Sequence, residues 1–231
     1  TQGNIPQFIG DPIVIQALRL SLITSTISVI VIAIIGTPFA YLLARGRLPG
    51  HRLLDVAVEL PLVLPPVVTG LALLMTFGRE GLLGPALASL GINLPFTTAA
   101  VVLAQIFVAA PFFLRAARLG FQSNDIALEH IAQTLGEPPW RVFFRVSLPL
   151  ALPSLVGGLT LAWARALSEF GATIMFAGNF PGRTQTMPMA IVSALETDLA
   201  GALTMAVILA LLALGVLVIL SFVAKRIGGI Q

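Results

Sequence analysis

The run LAGALTMAVILALLALGVLVILSFVA, Leu199–Ala224, holds no charged residue. A helix that crosses a bilayer needs about 20 mostly apolar residues, within a range of about 17–25. This run meets that length and cannot be solvated by water along its sides. Four other stretches are similar: roughly Leu20–Leu43, Leu53–Phe77, Thr97–Leu114 and Leu150–Ile174. The chain reads as an all-α membrane protein with five transmembrane helices. The second stretch contains Pro61, Pro65 and Pro66. Proline removes an amide donor and clashes with the preceding turn, so a kink or break is expected there.

Composition agrees. Of the 231 residues, 57% are hydrophobic and 10% charged, and the mean hydropathy is +0.99. An ordinary soluble domain carries about 25% charge, so lipid is the expected solvent for most of this surface. The absence of cysteine excludes disulfides, thiolate metal sites and thiol nucleophiles. Two histidines, His51 and His130, are too few for a histidine metal centre, and no metal site is expected. The net charge of +3 does not point to nucleic acid, because the basic residues are scattered over short loops. The numbering opens on Thr1 rather than Met, so it is not taken as the native start. Thr1–Gly10 lacks a basic stretch followed by an apolar core, and no cleavable signal is expected in it.

The basic residues orient the spans. Arg45, Arg47 and Arg52 follow the first span, Arg115, Arg118, Arg141 and Arg145 follow the third, and Lys225 and Arg226 lie in the tail. Nine of the thirteen thus fall on one side, against Arg79, Arg183 and, at the edge of the first span, Arg19 on the other. The positive-inside rule makes the richer side cytoplasmic, with the N-terminus outside and the C-terminus inside. Asp55 and Glu59, at the cytoplasmic start of the second span, read as solvated or paired with Arg52. No repeat, low-complexity tract or boundary is visible, so residues 1–231 form one membrane domain.

The segment between the third and fourth spans, about Arg115 to Pro149, is not loop-like. Asp125 suits a helix start. Leu128, Ile131, Ala132 and Leu135 then recur at i, i+3, i+4 and i+7, giving one apolar stripe. Gly136 suits the stop, and Pro138 or Pro139 the first turn of a second short helix. The residues alone allow an amphipathic hairpin on lipid headgroups or a docking element for a cytoplasmic protein.

Glu129-His130-Ile131-Ala132-Gln133-Thr134-Leu135-Gly136, followed by Val146-Ser147-Leu148-Pro149, resembles the cytoplasmic loop signature of binding-protein-dependent ABC importer permeases. With Gly136 on the family glycine, Ala132, Val146, Leu148 and Pro149 match; His130 occupies the family's glutamate position and Glu129 lies one place early. The resemblance implies a type I ABC importer permease-like fold whose coupling loop, about 120–149, sits in a groove of a separate ATPase. Glu129, His130, Ala132, Leu135, Gly136, Val146, Leu148 and Pro149 are the expected coupling residues. No glycine-rich loop ending in Gly-Lys-Ser/Thr occurs in the chain. It is therefore not expected to be an enzyme or to hold a cofactor; ATP and Mg would bind the ATPase.

The stretch Ala164-Arg165-Ala166-Leu167-Ser168-Glu169-Phe170-Gly171-Ala172, with Gly178 through Pro188, is similar to molybdate importer permeases. Sulfate/thiosulfate permeases are similar around Ser168–Gly171 and are the alternative. The early Gly36–Arg45 and Leu60–Gly70 runs fit the same group, so the likeness covers about Ser21 to Ile219. It implies two copies of this chain, two ATPase subunits and an extracytoplasmic binding protein, set in the inner membrane. It also implies a substrate of molybdate, with tungstate indistinguishable by size or charge. Arg165 and Glu169 lie at i, i+4 on one helix face; they read either as an internal salt bridge or subunit contact, or, with Ser168, as part of the path or gate. Pro65 and Pro66 read either as a structural kink or as unwound backbone near the gate. A secondary anion transporter is the rival of another class, but such proteins show mid-membrane ionisable groups and inverted repeats, and only Arg165 and Glu169 qualify.

Overall fold

The computed structural model describes residues 11–46 and 49–228, and in the described residues every regular element is helical. The helices are α1 (Pro12–Ala44), α2 (His51–Val63), α3 (Pro66–Phe77), α4 (Gly84–Ser89), α5 (Thr98–Ser123) and α6 (Ile126–Thr134). After them come α7 (Pro139–Leu167), α8 (Gly171–Ala177), α9 (Met187–Leu195) and α10 (Leu199–Gly228). Four of these, α1, α5, α7 and α10, are each long and apolar enough to cross a bilayer. Arg47 lies outside the described residues, as do the side chains of Arg52, Lys225 and Arg226, so their part in the charge pattern has no structural counterpart here.

The second span is a broken pair. The chain bends by 120° between α2 and α3. Leu64 and Pro65 are extended, with ψ of 133° and 137°, because each precedes a proline, whose Cδ disfavours helical geometry at the residue before it. Pro66 then occupies the first position of α3, where its missing amide costs nothing. The break expected near the prolines is therefore present, and Pro61 stays inside α2. The pair still traverses the bundle. Asp55 and Glu59 of α2 bond Arg118 and Arg115, late in α5, whereas Leu73 and Phe77 of α3 pack with Ala100, Val101 and Ala104 at its start. With this pair counted, five stretches cross.

Helix α5 is the centre of the bundle, lying against α1, α7, α2, α3 and α8. Its fully buried Ala109, Phe113, Ala117 and Phe121 meet Ile32, Ala40 and Tyr41 of α1 and Ala151, Leu155, Ala162 and Ala166 of α7. Small residues permit this close approach, the usual device where lipid offers no hydrophobic drive between helices. A β-carbon on Gly120 would fall 2.4 Å from Ser154 Cβ, and one on Gly158 would fall 2.8 Å from Ala116 Cβ. Ser28 of α1 donates to Val102 O (3.2 Å) and Gln105 Oε1 (3.1 Å) of α5 inside the core. Helix α10 is peripheral, with Leu203, Val207, Leu211 and Leu214 exposed, as a lipid-facing helix requires.

Three boundaries differ from the sequence reading. The third span runs to Ser123, so Arg115 and Arg118 sit in helix rather than loop. The second short helix of the segment between the third and fourth spans is not separate. It begins at Pro139 and continues through a π-helical stretch, Phe143–Ser147, into α7, making one helix of 29 residues. The fourth span also ends early: α7 stops at Leu167, and Gly171–Ala177 forms α8 beyond a break at Ser168–Phe170. Helices α4 and α9 were not foreseen. Asp55 and Glu59 pair with Arg118 and Arg115 of α5, the Glu59 pair remaining exposed to solvent, while the side chain of Arg52 lies outside the described residues.

Candidate functional site

At the end of the bundle that holds Arg45 and Ser123, α6 is set on the membrane helices by one buried carboxylate. Asp125 accepts from Ala127 N (2.9 Å) and caps the helix start. Gly136 ends the turn with φ of +89°, in the left-handed region that favours glycine. Between them Glu129 points inward and is 2% exposed. Tyr41 Oη donates to its Oε2 at 2.9 Å. Arg45 Nε at 3.0 Å and Ser147 Oγ at 2.8 Å donate to Oε1, joined by a second Arg45 nitrogen. Asn124 Nδ2 in turn holds Ser147 O at 3.0 Å. The π stretch, in which Leu148 N donates to Phe143 O, adds the extra residue that carries Ser147 to this position.

Burial by itself raises the Glu129 carboxyl. The hydrogen bonds from Arg45, Ser147 and Tyr41 and the Arg45 charge outweigh it, and the group titrates below its ordinary value of 4.5. The two carboxylate oxygens thus have charge-assisted partners on both sides, which is the condition for keeping a buried charge.

The outward face of α6 is the reverse. Ile126, Leu128, Ile131 and Leu135 are 44–80% exposed. His130 and Gly136 are exposed and Ala132 half-buried. The expected coupling residues therefore divide: Glu129 faces the bundle, His130, Leu135 and Gly136 face away. Val146 and Leu148 are half-buried in the helix that follows, and Leu148 packs on the core; Pro149 is exposed in its first α-helical turn.

The residues expected at a path or gate gather about 27 Å along α7 from Ser147, at a rise of about 1.5 Å per residue. Arg165 pairs with Glu169 at 2.7 Å, with side chains 25% and 1% exposed. Glu169 Oε1 also accepts from Ala172 N at 2.7 Å and so caps α8. The two side chains are thus ion-paired within the chain. Ser168 is exposed at the end of α7 and donates to Arg165 O. A β-carbon on Gly171 would lie 2.7 Å from Pro66 Cβ, and one on Gly70 would lie 2.6 Å from Ala172 O. The breaks at Pro65–Pro66 and Ser168–Phe170 are thus side by side, with α3 and α8 running on together from them. Pro65, Pro66, Val67 and Val68 are exposed.

At the opposite end lies a cavity of about 840 Å³. Its walls include Met75, Asn93, Phe96 and Phe180, with Arg79, Glu80 and Arg183 as its charged groups. Among the described residues neither arginine has a carboxylate partner, and both are exposed. Phe96 adopts φ of +60°, rare for an aromatic residue, and meets the edge of Phe180 at 6.3 Å. The sequence used Arg79 and Arg183 only as orientation signals. Their meeting at one cavity joins positions about a hundred residues apart and leaves no sequence pattern.

This arrangement has a known counterpart. Residues 36–229 match the model of the binding-protein-dependent transport system inner membrane component family. The chain belongs to this family. This permease is 46% identical over 183 residues to the Escherichia coli (strain K12) molybdenum transport system permease protein ModB, covering 79% of this chain and 80% of that one. It is 37% identical over 216 residues to the molybdate/tungstate transport system permease protein WtpB of Thermococcus kodakarensis, covering 94% and 81%. Among solved structures, a bacterial ABC transporter involved in import of the acidic polysaccharide alginate superposes with a TM-score of 0.79 at 16% identity, covering 95% and 82%. The MetNI methionine ABC transporter, inward facing, gives 0.66 at 19% identity, covering 95% and 96%. The permease therefore has the importer-permease fold, with the α6 segment inside the matched region.

Proposed function

We propose that this permease is the membrane-spanning subunit of an ATP-driven importer of molybdate, with tungstate, an ion of the same size and charge, as a further substrate. The single observation that carries the substrate is the 46% identity, over four-fifths of both chains, to a molybdenum transport permease; this favours molybdate over the sulfate alternative. Two copies of the chain assemble with two ATPase subunits, which hold ATP and Mg, and receive the anion from an extracytoplasmic binding protein. The Arg45 end is cytoplasmic. Its net basic character supports that orientation.

The exposed stripe Leu128, Ile131 and Leu135 is the surface that enters the ATPase groove. Burial of apolar side chains supplies affinity, and the Gly136 turn sets the angle of entry. At the other end Arg79 and Arg183 attract a dianion toward the mouth, where unpaired guanidinium groups raise its local concentration. Between them, the junction of Pro65–Pro66 with Ser168–Gly171 is the gate. Its irregular backbone suits a water-lined path rather than lipid, and Glu169 neutralises Arg165, so no strong fixed cation traps the anion. ATP binding draws the coupling segments together and opens the path outward; hydrolysis returns it inward.

The test is ATP-dependent uptake into proteoliposomes that hold the permease and its ATPase. The binding protein is loaded in turn with molybdate and with sulfate. Uptake of molybdate alone is the expected result. Uptake of sulfate alone would overturn the substrate, and no uptake of either would overturn the importer reading.

A further inference from the structure

The α6 segment is held to the bundle in an unusual way. Its large apolar side chains face outward, with Leu135 80% and Ile131 55% exposed, so little apolar burial fixes it. What fixes it is Glu129, whose two oxygens are bound by Tyr41 and Arg45 at the end of α1 and by Ser147 in the π stretch of α7. The guanidinium of Arg45 lies 5.7 Å from the Tyr41 ring centroid, and that ring packs edge-on against Phe121 and Phe143. The cluster is dry: the Arg45 and Glu129 side chains are 6% and 3% exposed.

Helix α1 then runs for 33 residues as one continuous helix with Pro38 inside it, about 50 Å at 1.5 Å per residue. Its far end is fastened to the opposite mouth. Ser21 Oγ accepts from Met187 N at 2.7 Å, and Val14 and Ala17 pack on Met187 and Ala190. The α9 segment that begins at Met187 follows directly on the loop holding Arg183 and Phe180.

We infer that Glu129 is a positioning residue for energy transfer, and that α1 is the strut: displacement of α6 passes through the Glu129–Arg45/Tyr41 cluster to α1 and so to the outer mouth, as well as through Ser147 to α7. A continuous helix pinned at both ends passes a displacement of one end on to the other, and a charge-assisted cluster buried from solvent resists being pulled apart. Glu129 therefore does not contact the ATPase; it connects the surface that does to the helices that move. This inference rests on the importer reading above.

The experiment uses the assembled transporter in proteoliposomes and reads molybdate imported per ATP hydrolysed. Glu129→Gln keeps the shape and removes the charge; Tyr41→Phe removes one donor. Both should retain the ATPase through purification, keep ATP hydrolysis, and import fewer anions per ATP, by at least about fivefold for Glu129→Gln, within the usual range of coupling between sites. The chain has no native cysteine, so Arg45→Cys with Glu129→Cys allows a second arm. That pair should uncouple, and a short thiol-to-thiol cross-linker joining the two should restore part of the ratio.

An unchanged ratio in Glu129→Gln overturns the inference. So does loss of the ATPase from that variant, which would make Glu129 a docking or folding residue. Cross-linking without recovery also overturns it. Absence of ATP-driven uptake in the unsubstituted protein would instead overturn the importer reading.

Discussion

Glu129 is the residue whose chemistry reaches furthest. Its carboxyl titrates below 4.5 in the fold, because donors from Arg45, Ser147 and Tyr41 outweigh its burial. A depressed folded value stabilises the protein above the unfolded value, and that contribution is lost as pH falls through the folded one. The Tm for unfolding in detergent should therefore fall on acidification below 4.5. The Glu129→Gln protein, less stable at neutral pH, should lose that part of the decline. Gly70 gives a second prediction at this scale. A β-carbon there meets Ala172 O at 2.6 Å and Met175 Cβ at 2.7 Å, atoms of a neighbouring helix that cannot swing aside. Gly70→Ala should cost about 1–3 kcal/mol, the range for overpacking, read as a lowered Tm. Gly157→Ala, where nothing lies within 4 Å, should show no such loss.

Two elements depart from simple helices, and each departure has a cause in its sequence. The α2–α3 break follows from consecutive prolines that extend Leu64 and Pro65. Replacing both Pro65 and Pro66 by alanine removes a helix-breaking penalty of about 3 kcal/mol and lets the pair straighten. Membrane insertion should persist while uptake falls; equal uptake would remove the bend from the gate. The α6 helix makes the opposite kind of claim, about a surface. Leu135→Asp puts charge on its most exposed apolar side chain without touching Glu129. Capture of the ATPase on co-purification should weaken, and a complex recovered in full yield would show that the stripe is not the docking face.

For the whole molecule, charge is divided by end. Among the described residues Arg79 and Arg183 have no carboxylate partner at one mouth, whereas five arginines at the other end are paired: Arg45 with Glu129, Arg115 with Glu59, Arg118 with Asp55, and Arg141 and Arg145 with Glu137. Attraction by exposed charges is screened beyond about 10 Å at 0.1 M salt. Uptake by the unsubstituted transporter should fall as ionic strength rises. Arg79→Glu with Arg183→Glu should lower uptake at low salt and flatten that dependence; an unaltered salt profile would remove these arginines from the capture step.

The four to five apolar stretches long enough to cross, the helical class, the proline break and the short helix bounded by Gly136 were all legible in the sequence. They depend on contiguous residues: run length, proline geometry and a period of 3.6 are local properties. The likeness around Gly136 and Pro149 was legible for the same reason. Three features needed the tertiary structure. Glu129 belongs with Tyr41, Arg45 and Ser147, a set assembled from three helices, and only that packing turns it inward while His130 faces out. The fourth span ends at Leu167 because Glu169 turns to cap a new helix, and an apolar count cannot register a cap. The cavity beside Arg79 and Arg183 exists because α3, α5 and the α8–α9 loop meet at one end of the bundle. Local energies write the helices into the chain; which of their faces meet is decided by long-range packing of small residues around Phe113 and α5.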